Sequence, residues 1–251
     1  MDKLYGLIGY PLSHSFSAGY FASKFEREQI SGCRYEPFSI EKIGLFPDLL
    51  KKHPELNGLN VTIPYKESVI PFLDSLDQTA AEVGAVNTIT IRRKANDILT
   101  RGFNTDVYGF ERSLEANDVR MPSKALILGT GGAAKAVEWV LKKHECQIFY
   151  ATRNPSAENH LAYNELDHDM LSSFLLVVNS TPLGMYPQTE ACPPIPVKGI
   201  GEKHTFFDLI YNPPETVFLK RARKKGAKTI NGLFMLEQQA EKAWEIWNRI
   251  G

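Results

Sequence analysis

No charge of either sign is in excess: 29 Lys plus Arg face 29 Asp plus Glu, a formal net charge of zero. A broad nucleic-acid or anionic-membrane surface draws on a basic excess, so neither partner is expected. Cysteine is scarce. Cys33, Cys146 and Cys192 are odd in number, widely spaced and without a C-x-x-C pair, which argues against a disulfide framework and a metal site. No apolar run approaches the roughly 18 residues that a membrane span needs. Met1 to Tyr10 offers no basic n-region followed by an apolar h-region and cleavage site, so a reducing, cytoplasmic setting is expected. Internal repeats and low-complexity segments are also missing. What remains, 43% apolar and 23% charged residues, is the balance of a globular chain and excludes collagen-like, disordered and coiled-coil readings. At 251 residues the chain has room for one large or two compact domains, at roughly 100–200 residues each.

Alternating patterns supply the elements. Lys3 to Ile8 reads as a strand, Ser17 to Gln29 as a helix with Tyr20, Phe21 and Phe25 on one face, and Arg34 to Ser39 as a strand. Ile43 to Lys52 reads as a helix and Gly58 to Thr62 as a strand. Helical patterns follow over Lys66 to Phe72 and Gln78 to Glu82, then extended ones over Val86 to Ile91 and Ile98 to Gly102. This order predicts an α/β unit with a mostly parallel sheet covered by helices on both faces. A second unit begins near Asn104: a helix over Asp106 to Leu114, strands over Lys124 to Leu128 and Gln147 to Ala151, and a helix over Ala133 to Lys143 between them. Phe174 to Val178 and Thr205 to Leu209 are two further buried strands, separated by polar or Pro-rich stretches. Near the end, Leu233, Leu236, Ala240, Ala243, Trp244 and Trp247 mark one face of a long helix.

The segment Gly129-Thr130-Gly131-Gly132-Ala133-Ala134 carries the first motif with a mechanism. A short apolar strand runs into glycines and then a helix. The first Gly permits a tight turn, the second lets backbone approach a pyrophosphate, and Ala134 keeps helix and strand close. The helix N-terminus adds free N–H groups and a positive dipole end for phosphates. An NAD site places an acid at the end of the second strand to hold the ribose 2′-OH. Here Ala151-Thr152-Arg153-Asn154 stands there, with no acid before Glu158. Arg153 suits a 2′-phosphate, so NADP is the expected cofactor.

Polar residues also gather where strand–helix connections do not need them. Ser13-His14-Ser15 follows the first strand, and Asn60-Val-Thr62-Ile-Pro64-Tyr-Lys66 straddles a strand end. Gly84-Ala-Val-Asn87-Thr88 enters a strand, and Gly102-Phe-Asn104-Thr105-Asp106 leads into a helix. Ligands of open α/β sheets bind at the carboxyl ends of strands. Hydroxyls, amides, one ammonium and one carboxylate gathered there suit a small polyhydroxylated acid. Singly, each has a plainer reading: Ser15 and Asp106 as helix caps, Asn87 as a turn residue, Lys66 as surface charge in a first helical turn.

In order along the chain, these blocks, the glycine loop, Asn179-Ser-Thr181-Pro-Leu-Gly184-Met185, Tyr211 and Asn231-Gly232-Leu-Phe-Met235-Leu-Glu-Gln-Gln239 form one series. The series resembles the shikimate dehydrogenase family over essentially the whole chain. The resemblance implies two α/β domains facing a cleft: residues 1–103 plus 232–251 bind substrate, and residues 104–231 form a Rossmann domain for NADP. It implies Ser13, Ser15, Asn60, Thr62, Asn87, Tyr211 and Gln239 as substrate ligands, and Lys66 with Asp106 as the catalytic pair. It further implies Gly129, Thr130, Gly131, Gly132, Ala133, Thr152, Arg153, Thr181, Met185, Leu209 and Gly232 as cofactor contacts. The C-terminal helix is expected to return to the substrate domain. Three departures from the family pattern stand out: Ala18 replaces a proline, Ala157 stands where a second Arg usually follows Arg153, and the chain is short. The second weakens the expected preference for NADP.

The implied reaction is reversible reduction of the ring ketone of 3-dehydroshikimate by NADPH, with no metal, in a monomer or homodimer. Lys66 handles the proton at the reacting oxygen, Asp106 orients the ammonium, and the Ser13 and Ser15 hydroxyls take the carboxylate. His14 alternates away from its two neighbours. The rival readings are a quinate/shikimate dehydrogenase with relaxed cofactor use, a folate-type methylene dehydrogenase, and a non-catalytic NADP-binding sensor.

Overall fold

A computed structural model describes residues 3–12, 16–94 and 97–249. Ser13, His14 and Ser15 lie outside the described residues. The chain divides into two compact units, Met1–Thr105 with Gln239–Gly251, and Asp106–Gln238.

The first unit contains β1 (Lys3–Gly9), α1 (Phe16–Arg27), β2 (Cys33–Ser39), α2 (Phe46–Lys52), β3 (Leu56–Val61), β4 (Ser75–Leu76), α3 (Gln78–Val83), β5 (Thr88–Lys94) and β6 (Asp97–Phe103). Its six-stranded sheet has the order β2-β1-β3-β5-β6-β4. β1 pairs in parallel with β2 and β3, and β4 with β6. β5 runs against both neighbours. Only Ala95 and Asn96 separate the paired Lys94 and Asp97, a link far too short for a parallel crossover. Side-chain alternation along β1 splits the core. Leu4 and Ile8 join a cluster with Phe46, Leu50, Leu59 and Ile89. Tyr5, pointing the other way, joins Phe21, Phe25, Ala240, Ala243 and Trp247.

That second cluster seats the end of α8 (Leu233–Arg249) on the first sheet. Trp247 stacks on Tyr5 with centroids 4.8 Å apart, and its indole N–H donates to the Ile89 carbonyl at 3.0 Å. A Cβ on Gly58 would lie 2.3 Å from the indole nitrogen, so only glycine lets the ring lie this close to β3. The buried Lys24 ammonium joins α1 to the same helix through Glu241 at 2.7 Å and reaches Glu28 at 2.9 Å. The expected face of this helix needs one correction. Leu233 is exposed, and Met235 is buried in its stead.

The second unit runs α4 (Asp106–Ala116), β7 (Lys124–Leu128), α5 (Gly132–Lys143), β8 (Gln147–Thr152), β9 (His160–Ala162), α6 (His168–Ser173), β10 (Leu176–Asn179), β11 (Thr205–Asp208), α7 (Val217–Arg223) and β12 (Lys228–Ile230). The sheet order is β12-β11-β10-β7-β8-β9, and every pairing is parallel. The chain leaves β7 in one direction and returns to its other side at β10, which makes the β7/β10 boundary a topological switch point. One face packs Leu126, Leu128, Ala151, Val177 and Phe206 against Phe218 and Leu219 of α7. β9, α6, α7 and β12 fall in stretches where no periodicity marks them. β9 joins β8 through Arg153–Asn159 alone, without the crossover helix that a parallel link usually carries.

The expected helix over Lys66 to Phe72 is replaced by turns and a short 3-10 segment, Ile70–Phe72. Two physical causes act together. The Lys66 carbonyl accepts the Val86 N–H at 2.7 Å instead of the N–H four residues ahead. Pro71 has no N–H to continue an α-helical ladder. Lys66 therefore sits in a turn between anchored neighbours, not in the first turn of a helix.

Candidate active site

In the first unit, a chain of buried side-chain hydrogen bonds links the carboxyl end of β3 to the start of β5 and the end of β6. Asn60 donates from Nδ2 to the Asn87 carbonyl at 3.3 Å and to Thr88 Oγ1 at 3.2 Å. Its Oδ1 accepts the Tyr35 hydroxyl at 2.8 Å, and burial holds that phenol well above its usual range. Asn87 accepts the Thr105 N–H on Oδ1 at 2.7 Å and donates from Nδ2 to Thr105 Oγ1 at 2.9 Å. Gln239, from α8, receives the Asn87 Nδ2 and the Thr105 hydroxyl, each at 3.4 Å. Asn60, Asn87, Thr105 and Gln239 are all buried. Buried amides on this scale are tolerated only when paired, and pairing fixes their orientation.

The structure thus brings together Asn60, Asn87 and Gln239 and adds Tyr35, Thr88 and Thr105. Thr88 and Thr105 lie inside the motif blocks, next to the residues singled out from sequence. Tyr35 carries no sequence signal, because only the β1–β2–β3 register brings it to Asn60. Thr62 follows β3 half-buried, and its N–H donates to the Ile8 carbonyl at 2.9 Å. Lys66 is half-buried beyond it. Tyr65, between them, is buried and donates its hydroxyl to the Ile40 carbonyl at 2.5 Å, which pins the turn that carries Lys66.

In the second unit, Asp106 opens α4 and is buried. A carboxylate in a first helical turn is favoured by the helix dipole. Tyr211, half-buried after β11, has its phenol pushed up by burial.

The glycine loop occupies the carboxyl end of β7. Gly129 has φ +93°, a left-handed value that favours glycine, and a Cβ there would lie 2.9 Å from Thr181 Cγ2. Gly131 caps α5, and a Cβ there would meet nothing within 4 Å. The protein imposes no steric need for glycine at 131, so the open space above it is available to a ligand. Gly132 and Ala133 form the first turn of α5, whose N–H groups lack intrahelical partners by geometry. These features fit a pyrophosphate. Thr130 and Arg153 are exposed, and Thr152 is half-buried at the end of β8. Burial raises the Tyr163 phenol, and the nearby Arg153 charge offsets only part of that rise.

The ends of β10 and β11 are joined by a directional relay. Leu183 N–H donates to Thr181 Oγ1 at 3.3 Å, and the Thr181 hydroxyl and N–H donate to Asn179 Oδ1 at 2.6 and 3.0 Å. Asn179 Nδ2 donates to Asp208 Oδ1 at 3.0 Å, which also accepts the Ile210 N–H at 3.1 Å. The Thr216 hydroxyl donates to Asp208 Oδ2 at 2.5 Å. Burial pushes the Asp208 carboxyl up to about 6 despite these three donors. Ser180 closes the edge by donating Oγ to the Leu128 carbonyl at 2.6 Å. Met185 is exposed, Leu209 is half-buried, and Gly232 packs directly against the Leu209 backbone. Asp208 and Thr216 escape sequence reasoning, and Asn179 stands in a motif block without an assigned role. An acid ending an apolar strand was the available signal for Asp208.

A model of the shikimate dehydrogenase substrate binding domain matches residues 7–89. A shikimate dehydrogenase (NADP(+)) from Methanosphaera stadtmanae is 36% identical over 259 residues, covering 96% of this chain and 90% of that protein. Among solved structures, a chorismate mutase/shikimate 5-dehydrogenase fusion protein from Clostridium acetobutylicum matches with a TM-score of 0.86 and 38% identity, covering 100% of this chain and 93% of that one. Quinate dehydrogenase from Corynebacterium glutamicum, in complex with NAD, matches with a TM-score of 0.84 and 28% identity, covering 99% and 94%. With identities of 36–38% along nearly its whole length, and with the buried amide cluster and glycine loop in place, this chain belongs to the shikimate dehydrogenase family.

Proposed function

We propose that this protein catalyses the reversible NADPH-dependent reduction of 3-dehydroshikimate to shikimate, a step of chorismate and aromatic amino acid biosynthesis. The observation that carries this reading is the buried cluster of Asn60, Asn87, Thr105 and Gln239. Its two asparagines fall in the segment matched by the substrate binding domain model, and Asp106 follows Thr105 directly. The substrate module is assigned to 1–103 plus 232–251 and the dinucleotide module to 104–231. The protein works in the cytoplasm, as a monomer or homodimer, on a small-molecule substrate.

Bound NADPH supplies the hydride. The protein orients the ketone and manages one proton. Lys66 hydrogen-bonds the reacting oxygen, gives it a proton during reduction and takes one back during oxidation. Asp106 orients that ammonium and the neighbouring hydroxyl. Asn60, Thr62, Asn87, Tyr211 and Gln239 hold the ring hydroxyls, and Ser13 and Ser15 hold the carboxylate. Gly129 to Ala133 hold the pyrophosphate, Thr152 and Arg153 the 2′-phosphate, and Thr181, Met185, Leu209 and Gly232 flank the nicotinamide half.

The test is direct. Purified protein is given NADP or NAD with shikimate, quinate or methylene-folate, and nicotinamide absorbance is followed. Shikimate with NADP should give the highest kcat/KM, well above quinate. No turnover of shikimate with either cofactor overturns the reading. A second reading, a quinate/shikimate dehydrogenase with relaxed cofactor use, is favoured by Ala157 in the loop after Arg153. Comparable efficiencies on the two acids would select it.

A further inference from the structure

We infer that Asp208 is a positioning residue for dinucleotide binding, acting through Asn179 on the Thr181–Leu183 loop. The inference rests on the NADP reading above. Asp208 has 0% of its surface exposed, so it meets no ligand itself. A buried carboxylate is a costly way to end a strand, and an apolar residue of similar size is often the more stable choice. Its chemistry offers something an apolar residue lacks. An ionised carboxylate only accepts hydrogen bonds. The side-chain amide of Asn179, buried beside it, has a donor end and an acceptor end that could be exchanged by a flip.

Asp208 Oδ1 admits only the donor end, at 3.0 Å. The acceptor end is thereby turned to the loop, where it takes both the N–H and the hydroxyl of Thr181. Thr181 Oγ1, having given its proton to Asn179, is left to accept the Leu183 N–H. The bonds from the Leu183 N–H through Thr181 and Asn179 therefore all point toward Asp208. Its contact with Asn179 Nδ2 at 3.0 Å is shorter than the 3.5 Å from the same nitrogen back to the Leu183 carbonyl. Other contacts hold the carboxylate still: Ile210 N–H on Oδ1, and on Oδ2 the hydroxyl of Thr216, which caps α7. Thr181 in turn lies against Gly129, the first glycine of the phosphate loop, so the oriented segment and the glycine turn share one surface.

The experiment is an NADPH fluorescence titration of wild type, Asp208→Ala and Asp208→Asn, each well below its melting temperature. Asp208→Ala should raise the Kd for NADPH about tenfold or more, the loss expected when charge-assisted bonds are removed. Asp208→Asn should stay within about threefold of wild type, because the Ile210 N–H holds the new amide oxygen toward Asn179. A stabilising role alone would lower the melting temperature and leave the Kd of folded protein unmoved. A Kd within twofold of wild type in folded Asp208→Ala, or an Asn variant as impaired as the Ala variant, overturns the inference. If Asp208→Ala does not fold, Asn179→Ala cuts the same relay nearer the loop and should raise the Kd about tenfold or more, a Kd within twofold of wild type again overturning the inference. Wild type that does not bind NADPH would instead refute the cofactor reading, a separate outcome.

Discussion

The side-chain oxygen of Asn87 accepts the backbone N–H of Thr105 at 2.7 Å. One amide, just ahead of β5 and 18 positions earlier in the chain, thereby anchors the residue that precedes Asp106. Asn87→Ala strands that buried N–H, while the Thr105 hydroxyl keeps Gln239 and Thr88 within reach. Unfolding in urea should show a loss of about 1–3 kcal/mol, the cost of an unsatisfied buried group. Turnover should fall as well, because the segment entering Asp106 loses its tether. Unchanged stability would show that Thr105 finds another acceptor.

The glycine loop separates folding from binding within three residues. Gly129→Ala must accept a left-handed φ and a contact of 2.9 Å with Thr181, so it should cost about 1–3 kcal/mol of stability. Gly131→Ala meets open space and should melt within a few degrees of wild type. Its methyl group would occupy the approach of the pyrophosphate, so NADPH affinity should drop about tenfold or more. Equal affinities in the Gly131 variant and wild type would move the phosphates elsewhere.

Lys66→Ala should leave folding and NADPH affinity near wild type. The backbone of that turn is held by the Val86 N–H on the Lys66 carbonyl and by the Tyr65 hydroxyl on Ile40. kcat should fall about 10²–10⁴-fold, the span of a positioned acid–base group, with a much smaller change in the KM for shikimate. A raised KM with intact kcat would instead mark Lys66 as a substrate anchor.

Arg153 is exposed at the end of β8 and has Ala157, not a second Arg, beyond it. Arg153→Ala should raise the KM for NADP by about one to two decades and barely change that for NAD. Wild type that uses both cofactors equally would show that one guanidinium does not suffice.

Asp208 also makes a pH prediction whose sign follows from its raised value of about 6. The folded state holds this proton more tightly than the unfolded chain, where Asp titrates near its ordinary value of about 4. Its contribution to stability is therefore fully present below about pH 4 and is lost as pH rises through about 6. Melting curves of wild type and Asp208→Asn from pH 4 to 7 should show wild type losing ground to the variant across that window, then running parallel. A constant difference would mean that the carboxyl stays charged throughout.

Several parts of this molecule were readable without coordinates. β7, the glycine turn and α5 stand out because a strand, a φ-permissive turn and an amphipathic helix are each specified by neighbours in sequence. α1 shares that property, since Phe21 and Phe25 recur at the helical period, and β1 stands out as a short apolar run buried along almost its whole length. The motif blocks likewise contain Asn60, Asn87 and Gln239, which meet in the buried amide cluster.

The rest depends on partners distant in sequence. β4 has two residues and β9 three, too few for any periodicity, and each exists because a neighbouring strand offers its edge. The helix suggested over Lys66 to Phe72 lost to Val86, which took the carbonyl that a helix needed. Tyr35 meets Asn60 only through strand register, and Asp208 meets Asn179 only because β10 and β11 lie side by side. Local pattern determines which segments become strands and helices, since period and turn chemistry act over a few residues. Which carbonyl, carboxylate or amide a buried donor meets is decided when the sheets assemble. A buried polar group must take the partner that the assembled sheet brings to it, because burial makes an unpaired one too costly to keep.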